Sequence, residues 1–159
     1  MTSQLSEGKI SERPTLVPVG PDDLGALTEL VRAYHDYDQH PFDEPVIVAA
    51  LRQLCAGTPY AKAWLLSLDG RQIGYASVSY GFSIEVGGLD FFLDEFFLAE
   101  PWRGRGLGRV LLAMIEDEVR KLGGLRLCLE AELHNPRAKA LYDTSGYEEH
   151  ERHLLSRLL

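Results

Sequence analysis

Arg103-Gly104-Arg105-Gly106-Leu107-Gly108 sets three glycines at alternate positions, with two arginines among them. An apolar, aromatic run from Phe91 to Leu98 precedes it. A helical pattern follows, with Leu107, Leu111, Met114, Ile115, Val119 and Leu122 at three- and four-residue steps. The glycines therefore sit where a strand ends and a helix begins. Amides at a helix N-terminus lack an intrahelical partner, and the helix dipole is positive there. Glycine lets a bulky anion approach them closely, so the chemistry on offer is capture of a phosphate or pyrophosphate. A second reactive pair, Asp94-Glu95, lies inside the preceding run. Neighbours on a strand point to opposite faces. An acid among Phe91, Phe92, Phe96 and Phe97 implies a partner or a task.

Two common phosphate motifs do not fit. A nucleotide P-loop needs Gly-Lys-Ser/Thr after its glycines, and the chain has no such triplet. A dinucleotide fingerprint needs G-x-G-x-x-G early in a series of βαβ units, whereas the spacing here is G-x-G-x-G, preceded by about a hundred residues.

Elements that could position these groups follow from the rest of the chain. Its 159 residues suit one domain with one core. Residues 1–12 read as a loose polar tail, which leaves 13–159 as the domain. Thr15–Val19 reads as an edge strand. Gly20-Pro21-Asp22-Asp23 breaks it, and Leu24, Leu27, Val31 and Tyr34 mark a first helix. Asp36 to Pro45 reads as a loop and Pro45 to Cys55 as a second helix. Tyr60–Leu68 and Gln72–Tyr80 are strand-like runs joined through Asp69-Gly70. Gly87-Gly88 turns into the Phe91–Leu98 strand. Gly123-Gly124 ends the helix after the glycine loop, and Leu125–Leu129 is a further strand. Asn135-Pro136 opens a last helix, closed by Gly146, and Leu154–Leu159 reads as a final strand. The order predicts an α/β arrangement around a mixed sheet.

Composition narrows the function. Sixteen Lys and Arg against 24 Asp and Glu give a net charge of −8, which argues against a nucleic-acid partner. No apolar run approaches the roughly 18 residues of a membrane span, and no signal-peptide core precedes the domain. Cys55 and Cys128 form no ligand cluster, so no metal is expected. A cytoplasmic protein is the expectation.

The loop, together with Leu129-Glu130, Asn135, Ala138, Leu141-Tyr142 and Gly146-Tyr147, resembles the two signatures of the GNAT superfamily of N-acetyltransferases, the second being L-E-x4-N-x2-A-x2-L-Y-x3-G-F/Y. The resemblance runs from about Thr15 to Leu159. It implies a GNAT fold with a sheet of six to seven strands, splayed between the fourth and fifth, and helices on both faces. It implies acetyl-CoA as cosubstrate. Backbone at Phe96, Phe97 and Leu98 would pair with the pantetheine arm. Amides from Gly104 through Arg105, Gly106, Leu107 and Gly108 to Arg109 would hold the pyrophosphate beside Arg103. Asn135 and Ala138 would meet the arm from the other side, and Tyr142 would protonate the leaving thiolate. Plainer roles stand beside these: Tyr142 as a core aromatic, Asn135 as a helix cap, and the arginines as surface charges.

An amine must be neutral when it attacks a thioester, so a carboxylate must accept its proton. Glu95 and Glu130 are the two candidates. Glu130 matches a glutamate that looks catalytic in ribosomal-protein N-terminal acetyltransferases. The strand around Asp94-Glu95 resembles the acidic strand of spermidine/spermine acetyltransferases, with the order of the two acids reversed. Asp94, Glu95, Tyr37 and Asp38 would suit a cationic amine, by charge pairing and cation–π contact. The expected activity is N-acetylation of a small cationic primary amine by a homodimeric enzyme. Acetylation of a protein N-terminus or lysine is the alternative, and an acyl-CoA-binding regulatory domain the non-enzymatic one.

Overall fold

The computed structural model describes residues 13–159. The tail expected over 1–12 lies outside the described residues. The chain divides into two compact units, one ending at Leu129 and the other spanning Glu130–Leu159. No helix among the described residues is long and apolar enough to cross a membrane.

The first unit carries a five-stranded sheet in chain order: β1 (Pro14–Pro18), β2 (Ala61–Leu68), β3 (Arg71–Ser83), β4 (Gly88–Leu98) and β5 (Gly124–Leu129). The first four strands are antiparallel neighbours, and β5 runs parallel to β4. The sheet is thus mixed, as expected, but it has five strands among the described residues rather than six to seven. Leu154–Leu159 forms no strand: residues 148–159 carry no regular secondary structure, and Leu154, Leu155, Leu158 and Leu159 are exposed. Apolar content favours a strand only where a ladder partner is available.

Helices α1 (Leu24–Asp38) and α2 (Glu44–Cys55) cover one face. Leu27 and Val31 of α1 and Leu51 and Cys55 of α2 close a buried cluster with Leu65, Tyr75 and Phe97. Helix α1 runs three residues into the stretch expected to be a loop. Asp23 precedes α1 without capping it; its carboxylate instead accepts the Gly20 amide at 2.8 Å. Asp43 caps α2 by accepting from the Val46 amide at 3.3 Å. Helix α3 (Leu107–Lys121) buries Leu111, Leu112, Ile115 and Val119. It lies on the opposite face, because a Cβ at Gly124 would meet both the Val119 side chain, at 2.5 Å, and the Phe91 ring, at 2.7 Å. Phe91 stacks on Tyr80, whose strand position faces away from Tyr75.

One irregularity decides what each face receives. Ser77 pairs with Glu95, while Val78 pairs with Leu93, so Asp94 is an extra residue, a β-bulge in β4. Strict alternation would put Phe91, Leu93, Glu95 and Phe97 on one face. The bulge leaves Phe91 and Leu93 on the α3 face and turns Glu95 and Phe97 toward α1. The β4–β5 ladder runs from Leu89 to Leu93, pinned by a two-pronged ion pair of Arg126 with Asp90 at 2.7 and 3.0 Å. Beyond Leu93, β4 continues to Leu98 with no β5 partner.

Candidate active site

The glycine loop stands where expected. A single 3-10 turn, Glu100–Trp102, leads from β4 into Arg103, and α3 starts at Leu107. Gly104 and Gly106 hold φ of +73° and +78°, a region side chains rarely adopt. Gly106 is the N-cap of α3 and supplies no side-chain acceptor to the first-turn amides. A Cβ at Gly106 would meet nothing within 4 Å. An open, positively polarised helix start with two left-handed glycines before it fits a pyrophosphate. Gly108 and Arg109 belong to that first turn.

The loop arginines are partly committed. Arg103 Nε donates to the Leu98 carbonyl at 2.7 Å. Its guanidinium lies 3.9 Å from the centroid of the Tyr37 ring and 5.2 Å from that of Phe97. Arg103 is therefore a strap between the end of β4 and the last turn of α1. Arg105 lies over Trp102 at 5.1 Å.

Glu95 faces a polar network on the α1 side. Tyr75 Oη donates to Glu95 Oε2 at 2.8 Å. His35 Nε2 lies 3.9 Å from Glu95 Oε1, and His35 Nδ1 contacts the Pro41 carbonyl at 2.9 Å. Asp38, only 5% exposed, accepts from Tyr34 Oη at 3.4 Å and meets His40 Nε2 at 2.9 Å. Tyr34, Tyr75 and Phe97 enclose this network, with ring centroids 5.8–6.4 Å apart.

Burial pushes the Glu95 carboxyl above its ordinary value. The Tyr75 hydrogen bond opposes that rise, Asp94 adds to it, and His35 and His40 oppose it. Burial, reinforced by the charge of Glu95, holds the Tyr75 phenol well above the ordinary phenol range, so Tyr75 stays a donor. Asp94 is exposed at the bulge, and Phe96 is half-buried on the face opposite Glu95. Cys55 is buried with its thiol raised by burial, which disfavours a thiolate nucleophile.

The second unit begins at Glu130, which is exposed. Its helix α4 (Pro136–Thr144) is capped by Asn135, whose Oδ1 accepts from the Ala138 amide at 3.1 Å. The cap role of Asn135 is thus realised, and the Ala138 amide is already engaged. Tyr142 is buried and packs edge-on against Tyr147, with ring centroids 5.8 Å apart. Burial raises its phenol to about 12, so at neutral pH it carries a proton it can give.

The structure thus brings Glu95, Phe97, Leu98, Arg103, Tyr37 and Asp38 together. Tyr75, His35 and His40 join them without any motif. A tyrosine in an apolar strand and histidines near a helix end have many uses, so their types carried no warning.

The family model for the acetyltransferase (GNAT) family matches residues 26–147. The aminoglycoside N(6')-acetyltransferase type 1 of Stenotrophomonas maltophilia is 27% identical over 147 residues, covering 90% of this chain and 92% of that protein. An integron cassette protein from the mobile metagenome of Cole Harbour Salt Marsh superposes with a TM-score of 0.78 at 28% identity, over 91% of this chain and 90% of that one. An aminoglycoside N-acetyltransferase crystallised with CoA shares the fold, with a TM-score of 0.75 at 18% identity over 92% and 95% of the two chains.

Proposed function

Because this chain belongs to the GNAT family of acetyltransferases, with acetyl-CoA as its cosubstrate, we propose that it acetylates a primary amine on a small cationic molecule, in one catalytic domain over residues 13–159. The observation that carries the reading is Glu95. It is a partly buried carboxylate aimed at an aromatic- and histidine-lined face, on the part of β4 that β5 leaves unpaired.

A carboxylate there attracts an ammonium group and takes its proton, which leaves the nitrogen lone pair to attack the thioester carbonyl carbon. The carbon–sulfur bond breaks as the amide forms. Tyr142 supplies the proton to the departing sulfur, the second ammonium proton restores the phenol through solvent, the third stays on the amide nitrogen, and Glu95 releases its proton to solvent. The first-turn amides of α3, from Leu107 to Arg109, hold the pyrophosphate. No covalent acyl-enzyme is needed. The similarity to an aminoglycoside acetyltransferase over nearly its whole length supports an amino sugar or another polyamine as acceptor. Tyr37, Asp38 and Asp94 add the aromatic and acidic surroundings that suit such a cation.

An acetyl-CoA-dependent screen of aminoglycosides, linear polyamines, amino acids and N-terminal peptides tests the reading. Preferred turnover of polycationic amines is the expected result. Preference for acidic amino acids or for peptides overturns it.

A further inference from the structure

We propose that His35 is a positioning residue for Glu95: the Pro41 carbonyl fixes its ring so that Nε2 alone addresses the carboxylate, and its cationic form holds Glu95 in the ionised, proton-accepting state. The inference deepens the reading of Glu95 as the base and rests on it.

Three independent observations carry it. First, a carbonyl oxygen can only accept, so the 2.9 Å contact with Pro41 requires the proton on His35 Nδ1. That leaves Nε2 facing Glu95 Oε1 at 3.9 Å, as a lone pair or as a charged N–H. Second, His35 lies in the last turn of α1, where the helix dipole favours a cation. Third, the chain beyond α1 is folded back to make this contact. Gln39 takes a left-handed φ of +57°, and the Gln39 and His40 amides both bond the His35 carbonyl. This turn aims Pro41 at the imidazole, and the Phe42 ring packs edge-on against it with centroids 5.4 Å apart.

The groups that face Glu95 come from two strands, one helix and one turn. Tyr75 from β3 donates a neutral hydrogen bond, His35 faces it from α1, His40 adds from the following turn, and Asp94 lies next to it on β4. Burial and Asp94 favour the protonated acid, while the Tyr75 hydrogen bond and a positive charge on His35 favour the ionised one. Without the His35 charge, Glu95 would retain its proton to higher pH, and the pH range over which it can accept one would narrow from its acidic side.

The test compares wild type with His35→Phe, which keeps the ring packing, and His35→Gln, which keeps a neutral donor. The Glu95 carboxyl is titrated by carbon-13 NMR without substrate, with Glu95→Gln providing the assignment. In His35→Phe the Glu95 titration should move up by about one pH unit, the lower end of what an opposite charge at this range exerts. His35→Gln should fall between. The acidic limb of kcat/KM should move in the same direction and by a similar amount. Nitrogen-15 shifts of wild-type His35 should show a proton on Nδ1. An unmoved Glu95 titration in either folded variant, or a neutral ring protonated at Nε2 alone, overturns the proposal. A titration that moves while the kcat/KM limb stays fixed upholds the His35–Glu95 coupling and removes Glu95 from the role of base.

Discussion

Tyr75 and Glu95 meet on a diagonal of the β3–β4 ladder: Ser77 stands opposite Glu95 and Tyr75 opposite Phe97, and the Tyr75 hydroxyl reaches back to Glu95 Oε2 at 2.8 Å. The phenol stays protonated, so Oε2 is occupied, and Oε1, 3.9 Å from His35 Nε2, is the oxygen on which a substrate proton would land. Replacing Glu95 with Gln should lower turnover by roughly 10²-fold or more, the usual range for loss of a general base. Asp94→Asn should cost much less, because Asp94 is exposed at the bulge. Steady-state kinetics of Glu95→Gln, Asp94→Asn and Glu130→Gln separate the candidates. A crippled Glu130→Gln beside an unimpaired Glu95→Gln moves the base to the residue after β5.

The same substitution should have the opposite effect on stability. The folded value of Glu95 is raised above the unfolded one by burial. Its contribution is therefore fully present below the ordinary glutamate value and is lost as pH rises through the folded value. Above the folded value, ionised Glu95 costs stability, and Glu95→Gln removes that cost. Thermal melts from pH 5 to 8 should show the variant gaining on wild type as pH rises. A variant that loses ground with rising pH contradicts the burial argument.

Gly106→Val should weaken CoA binding by at least about tenfold, since the φ of +78° that opens the start of α3 is strained for a β-branched residue. Calorimetry on a variant with wild-type circular dichroism is the measurement. Unchanged affinity would take the pyrophosphate away from this loop.

Tyr142→Phe should keep acetyl-CoA affinity and lose turnover by roughly 10²-fold. A phenol raised to about 12 is a proton donor across the working range. An unimpaired variant would mean that solvent protonates the thiolate.

A homodimer is the expected state in solution, with the exposed leucines at 154, 155, 158 and 159 as candidate contact surface. Light scattering at micromolar concentration that returns the 17.8 kDa monomer mass refutes it.

The two chemically distinctive segments were legible because their signals are local. Alternate glycines before an apolar helical stripe, and Asn-Pro opening a second helix, need no knowledge of the rest of the chain. The face that Glu95 occupies was not legible. It depends on Asp94 being skipped by the ladder, and that follows from how β3 and β4 align over their whole length. The strap formed by Arg103 was equally hidden, because Tyr37 becomes its platform only once α1 continues to Asp38. At Leu154–Leu159 composition suggested a strand, but pairing is a tertiary property and these residues have none.

The extra residue at Asp94 makes this site a matter of parity. Between Phe91 and Glu95 the chain counts four steps, and on a regular strand an even count would bring both side chains to the same side. The site exists because the ladder counts three. Point substitutions here alter one group at a time, but a register slip that closes the bulge, pairing Ser77 with Asp94, would bring Phe96 opposite Tyr75 and turn Glu95 toward α3. Along this strand the register therefore decides which side chain meets Tyr75 as much as the residue types do.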